Sequence, residues 1–323
     1  MPSFRRRFRS LLLSAAFASA AAVAQAQTPL RIVVPFAPGG AQDVIGRWFG
    51  TKLTARLGVP VIIDNRAGAG GVLAADAVAK APPDGQTLLL ATGGAISIAP
   101  HLNPKLPYDP KRDFIAVAMV ADTPMTIAVR ADSPYKSLAD VLREAKAKPG
   151  ALAYASTGHA TVSHLTGALL AQTAGVNLLH VPYKGAAPAM SDLLGGQVPL
   201  IVTSAASVDA MVESGKVRVL ATFSKAHLPN LMTTPTVSEA SGLSGLDVPV
   251  WVGFLAPART PVDRVEKLAA EIIAICQMPD TQERFRGLGA APACAGRAAL
   301  EKTITEDTER WGQVVRQGGI KLE

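Results

Sequence analysis

Two loops of this chain carry residues of the kind that hold a small anion. The first lies in Val33-Val34-Pro35-Phe36-Ala37-Pro38-Gly39-Gly40-Ala41-Gln42-Asp43, where an apolar run passes through Pro38, Gly39 and Gly40 into a helical pattern. Adjacent glycines let the backbone approach a ligand closely, and the helix start beyond them offers unpaired N–H groups at the positive end of the helix dipole. A carboxylate suits that environment. Asp43 has two readings, a ligand contact or a cap on its own helix. The second loop is Tyr154-Ala155-Ser156-Thr157-Gly158-His159-Ala160-Thr161, again between an apolar stretch and a helical pattern. It supplies the hydroxyls of Ser156, Thr157 and Thr161, the open backbone of Gly158, and the imidazole of His159. Two such loops facing each other would clamp a small anion, because ligand sites of open α/β sheets lie at the carboxyl ends of the strands. Taken singly, each loop is also an ordinary helix cap.

Enzymatic readings mostly fail on spacing. Gly68-Ala69-Gly70-Gly71-Val72-Leu73 begins like a dinucleotide fingerprint but has Leu73 where the third Gly belongs. The chain contains no G-x-x-x-x-G-K-[ST], G-x-S-x-G or H-E-x-x-H. Ser133-Pro134-Tyr135-Lys136 matches S-x-x-K, yet its partner motifs are missing, Ser191-Asp192-Leu193 being the nearest approach. A turn before a helix accounts for it better. His159, His164 and His180 are candidate metal ligands without a Cys or an acid at a recognisable spacing, so neither a metal nor a cofactor is expected. Of the three, His159 is the one expected to face a ligand.

The elements that must position these loops are legible from Leu30 onward. Short Val/Ile/Leu-rich runs at 32–36, 59–64, 87–91, 127–129, 179–181, 200–203 and 217–221 alternate with helical patterns at 43–57, 72–81, 138–148, 162–174, 187–194, 262–276 and 298–315. Continuous apolar runs are buried on both faces, so the pattern predicts an α/β fold with largely parallel sheets. Two longer apolar passages, 116–129 and 248–256, are suited to cross between two lobes, which would make the first lobe discontinuous.

The chain has 323 residues, 49% hydrophobic and 18% charged, which excludes a disordered or fibrous polypeptide. Its formal charge of +7 would suggest nucleic acid, but residues 1–26 have a basic start, an apolar stretch and an A-x-A end, the layout of a cleaved secretory signal peptide. Removing it takes away four Arg and leaves about +3, so nucleic acid is not an expected partner. Export places the two cysteines, Cys276 and Cys294, in an oxidising compartment. Spacing leaves open whether they bridge or whether Cys276 is a small buried hydrophobe.

Together with the first loop, Asp64-Asn65-Arg66-Ala67-Gly68-Ala69-Gly70-Gly71, Pro83-Asp84-Gly85, Leu106-Pro107-Tyr108-Asp109-Pro110, His180-Val181-Pro182-Tyr183-Lys184-Gly185 and Asp192-Leu193-Leu194-Gly195-Gly196-Gln197-Val198 resemble the Bug family. These are periplasmic solute receptors of tripartite tricarboxylate transporters. The resemblance runs from about Leu30 to the C-terminus. It implies a two-lobed, type II periplasmic-binding-protein-like fold with the ligand cleft between lobes, the first being 27–126 plus 252–323 and the second 127–251. It implies that Pro38, Gly39, Gly40 and Asp43, with Ser156, Thr157, Gly158 and Thr161 opposite, hold a ligand carboxylate, and that Thr92 and Gly93 line the same cleft. The implied protein is a periplasmic monomer that binds a small organic acid and delivers it to the membrane components of a transporter.

Departures in two places bear on specificity. Ala155, His159 and Ala160 replace the family's usual Gly, Asn and Gly, so a larger, titratable side chain borders the site. Thr203 and Ser204 stand where many members have Asp and Asn, which removes a partner for a ligand ammonium and makes an amino acid ligand less fitting. Two rival readings are a periplasmic hydrolase built on Ser133 and Lys136 or on Ser156 and His159, and a sensor subunit whose closed form docks on a signalling protein.

Overall fold

The computed structural model describes residues 28–318, and the leader expected at 1–26 lies outside them. Among the described residues eight strands follow one hydrogen-bonded path, β2-β1-β3-β9-β4-β7-β5-β6, and two more, β10 and β8, attach to β4. They are β1 (Leu30–Val34), β2 (Val61–Asn65), β3 (Thr87–Ala91), β4 (Phe114–Arg130), β5 (Ala153–Ser156), β6 (Leu179–Pro182), β7 (Leu200–Ser204), β8 (Val217–Phe223), β9 (Pro249–Pro257) and β10 (Ala291–Gly296). The helices that position the site are α1 (Ala41–Leu57), α2 (Val72–Ala79), α3 (Ala99–Leu102), α4 (Leu138–Ala147), α5 (Val162–Ala174), α6 (Ala186–Leu194) and α7 (Ala205–Glu213). Downstream lie α8 (Val237–Ser241), α9 (Val262–Cys276), α10 (Pro279–Gly287) and α11 (Arg297–Gly318).

The 17-residue strand β4 organises both lobes. Through Pro124 it pairs with β9, and from Met125 it pairs with β7 and β8 instead. The chain returns at Val248, whose N–H donates to Phe223 O while its own carbonyl accepts from Met125 N, before β9 continues on the other side. Strands β1, β2 and β3 pair in parallel, as do β5, β6 and β7, whereas every pairing of β4, β8, β9 and β10 is antiparallel. The expectation of largely parallel sheets therefore holds only for the outer strands. Burial on both faces gives parallel and antiparallel strands the same apolar signature, so the sequence pattern does not separate them.

One core lies around β1, β3 and helices α1 and α9, with Phe49, Phe254, Phe285 and Ile272 fully buried. A second lies around α4 and α5, and into it α11 inserts Trp311 and Val315 beside Ile98 and Leu102. The C-terminal helix thus begins near β4 and ends between Ile98 and Leu165, tying the two sides of the molecule together. Cys276 at the end of α9 and Cys294 in β10 form a disulfide. The register of β10 slips between Pro292 and Ala295, and Cys294 stands there at φ 36, out of the regular ladder. Strands β5 and β10 and helices α3, α7, α8 and α10 have no counterpart among the expected elements, and Tyr154 to Ser156, read as the start of a loop, belong to β5.

Candidate functional site

A narrow cavity of about 30 Å³ lies where the two sides meet, lined by Phe36, Gln42, Thr92, Met125, Thr157, Thr161, Val162, Ser163, Thr203, Ser204, Ser207 and Val250. Four of the expected residues, Thr92, Thr157, Thr161 and Thr203, line it directly. No charged side chain does. Its positive character comes from backbone: α1 contributes Gln42 from its first turn, α5 contributes Thr161, Val162 and Ser163, and α7 contributes Ser204 and Ser207. Helix N-termini each carry roughly half a positive charge and unpaired N–H groups. Neither α1 nor α7 is capped by the side chain at its N-cap, although in α7 the Ala206 N–H is taken by Thr123 Oγ1 at 3.4 Å.

The hydroxyls divide into framework and free. Ser163 Oγ accepts from Thr157 N at 3.0 Å and donates to Val202 O at 2.6 Å, fixing the loop to β7. Thr161 Oγ1 caps α5 by accepting from His164 N, and it donates to Gly158 O at 2.7 Å. Thr203 differs, since its residue is 1% exposed and its Oγ1 has no protein partner. A buried unpaired hydroxyl aimed into a cavity is costly unless a ligand group satisfies it.

Asp43, the residue with two readings, is committed to its own loop. Its carboxylate accepts from Gly39 N at 3.0 Å, Arg47 Nε at 3.0 Å and Asn65 Nδ2 at 2.9 Å. Burial pushes its pKa up, but the hydrogen bonds from Arg47, Gly39 and Asn65 outweigh it and hold the group below its ordinary value. Pro38, Gly39 and Gly40 are not among the lining residues. A Cβ at Gly39 would stand 3.5 Å from Ala187 Cβ, so the loop packs on the start of α6, and nearby Ala37 N donates to Lys184 O at 3.0 Å. Gly93 lies against α11, where a Cβ would come within 2.6 Å of Asp307 Oδ2. Asp307 in turn accepts from Trp251 Nε1 and Arg310.

Ser156 is fully buried and shapes its loop from within: its Oγ accepts from Gly158 N at 3.1 Å and lies 2.6 Å from His180 Nε2. The hydrolase pair Ser156 and His159 is thus not assembled, His180 taking the histidine's place with no carboxylate hydrogen-bonded to orient it. At the other hydrolase candidate, Lys136 Nζ donates to the Ser133 main-chain oxygen while Ser133 Oγ accepts from Tyr135 N, which is turn geometry. Gly158 and His159 line a neighbouring cavity of about 190 Å³ together with Phe36, the 68–71 turn, Tyr183 and Lys184. Here the two sides touch main chain to main chain, since a Cβ at Gly70 would fall 2.2 Å from His159 O. Ala160, where the family has Gly, sits at φ 56, a conformation that costs an L-residue roughly 1–2 kcal/mol.

Sequence reasoning missed Phe36, Gln42, Met125, Val162, Ser163, Ser204, Ser207 and Val250 as lining residues. For Gln42 and Ser163 the signal was present, because each follows a loop already read as a helix start. For Ser207 the missing signal was helix α7 itself.

A family model described as the tripartite tricarboxylate transporter family receptor matches residues 45–320. A relative from Pseudomonas sp. strain P51, the UPF0065 protein in the tcbD-tcbE intergenic region, is 40% identical over 287 residues, covering 89% of this chain and 85% of its own. The solved structure of the periplasmic binding protein BugD superimposes with a TM-score of 0.88 at 36% identity, covering 92% of this chain and 99% of that one. MatC from Rhodopseudomonas palustris, solved with bound malate, gives 0.85 at 33% identity over 90% of this chain and 99% of its own. Sequence and fold agree, and this chain belongs to the receptor family of tripartite tricarboxylate transporters, the Bug-type solute-binding proteins.

Proposed function

We propose that the mature protein is an exported receptor that closes its two lobes, 27–126 plus 252–323 and 127–251, on a small organic carboxylate and presents the closed form to the membrane components of a transporter. The observation that carries this reading is the cavity itself. Three helix N-termini and an unpartnered buried hydroxyl, Thr203 Oγ1, meet in a space with no charged side chain. Such a space attracts an anion without a counter-cation to compete for it. Phe36, Met125, Val162 and Val250 provide apolar walls for the carbon body of the ligand. Malate in MatC is an acid of the same class.

Closure on the ligand would shift an open/closed equilibrium by the difference in affinity between the two states. Pro38 to Gly40, Asp43, Gly93, Ser156 and Gly158 then act by shaping the loops that carry the contacting groups. The test is the thermal midpoint of refolded, ligand-stripped protein against mono-, di- and tricarboxylates and aromatic acids. A ligand at 100 times its dissociation constant adds about 2.7 kcal/mol, which raises the midpoint by several degrees. A shift confined to one acid class names the ligand class, and no shift with any acid refutes the reading.

A further inference from the structure

Behind the second ligand loop, three imidazoles from separate segments converge. His159 comes from the loop, His164 from the first turn of α5 and His180 from β6, and a nitrogen of each lies within 4.8 Å of the others. No spacing rule revealed this, because the three are brought together by the pairing of β5 with β6 and by the tight turn before α5. We propose that His159, His164 and His180 form a binding site for one divalent transition-metal ion of the imidazole-preferring class, Zn²⁺, Ni²⁺ or Cu²⁺.

Three observations support the site. The donors are all neutral nitrogen ligands, which suit those ions and not Mg²⁺ or Ca²⁺. His164 Nδ1 accepts from Ala160 N at 3.3 Å, a bond that an ion at that nitrogen displaces. Ser156 Oγ lies 2.6 Å from His180 Nε2, so that nitrogen is held by the protein and Nδ1 is the one left to face an ion, the outer-shell arrangement that orients metal-binding histidines. His159 borders the 190 Å³ cavity and gives an ion a way in.

Ring geometry sets what binding must change. The His159 ring stands at 89° to His180 and 83° to His164, whereas His164 and His180 are stacked 3.9 Å apart at 11°. Parallel rings cannot aim their in-plane lone pairs at one point, so His159 and one of the pair ligate first, and the third joins when the stack splays. Water completes the coordination. Lys184 lines the same cavity and opposes a dication, so binding rests on the nitrogen donors.

The experiment uses untagged mature protein freed of metal by chelation, titrated with Zn²⁺ by calorimetry, beside His159→Asn and His227→Asn. His227, paired with Glu239 on another face, serves as the control for adventitious surface binding. The expected result is one ion per chain, with at least tenfold weaker binding in His159→Asn and unchanged binding in His227→Asn. Unchanged binding in His159→Asn, or loss in His227→Asn, overturns the proposal. A variant-free check is the electron paramagnetic resonance spectrum of the wild-type protein with one equivalent of Cu²⁺. Coupling to two or more imidazole nitrogens supports the site, and its absence overturns it.

Discussion

Thr203→Val separates binding from stability because its two effects have opposite sign. The hydroxyl is 1% exposed and unpaired with protein, so replacing it by a methyl of nearly the same shape removes a desolvation cost of about 1 kcal/mol. The ligand-free protein should gain that amount, a rise of about 2–4 °C in midpoint for a chain of this size. If Thr203 Oγ1 donates to a ligand carboxylate, the same change forfeits a charge-assisted hydrogen bond of about 1.5–3 kcal/mol, or roughly ten- to hundredfold in affinity. Thr126→Val is the matched control. Its hydroxyl donates to Thr203 O at 2.9 Å, so its loss should lower the midpoint, leaving that carbonyl short of a donor. The assay is thermal unfolding with and without the best acid of the panel. A lower midpoint in ligand-free Thr203→Val, together with unchanged affinity, would show that the hydroxyl is satisfied within the protein and is not a ligand contact.

Four further outcomes follow from the same structure. Replacing Cys276 and Cys294 by Ala opens a loop with a sequence separation of 18, which chain entropy values at about 3 kcal/mol, so the midpoint should fall by roughly 5–10 °C; equal midpoints would refute it. His164 and His180 titrate lower in the folded chain than their ordinary 6.5, so the unfolded chain binds more protons below that pH. The stability they contribute is complete above pH 6.5 and is lost as pH falls toward about 4 and about 3; denaturant unfolding between pH 6.5 and 5, above most carboxylate titration, should show a slope that His180→Gln reduces. Asp43→Ala frees Gly39 N and Asn65 Nδ2, and should cost about 1–3 kcal/mol in denaturant midpoint while weakening ligand capture through the loosened loop. Because Asp43 is held below its ordinary carboxylate value, its contribution is present at neutral pH and lost as pH drops through its lowered value, so the wild-type and Asp43→Ala stabilities should converge in acid.

The alternation of apolar runs and helical patterns was enough to read the α/β class, and both loops could be read as helix starts because Gly, Ser and Thr mark such points locally. The lining of the cavity could not be read in the same way. Met125 and Val250 are ordinary apolar residues in strands, and only the change of partner along β4 brings them to the cleft. Helix α7 escaped because Ala205-Ala206-Ser207-Val208 has no capping box or apolar period to announce it. Ser156 and Asp43 were correctly placed in the right loops, but side-chain type does not tell whether an oxygen faces a ligand or its own backbone. The disulfide was undecidable for a related reason, since a Cα separation of 5.3 Å between α9 and β10 is a product of tertiary packing.

The bond from Ala37 N to Lys184 O joins the two lobes through main-chain atoms alone. Such a latch places no demand on side-chain identity, so only proline at position 37 would delete it outright, and relatives can diverge widely around it without losing it. If the lobes part as the proposed closure requires, this amide is freed, and deuterium uptake at Ala37 would time the opening, one residue keeping the record of each excursion that a ligand suppresses.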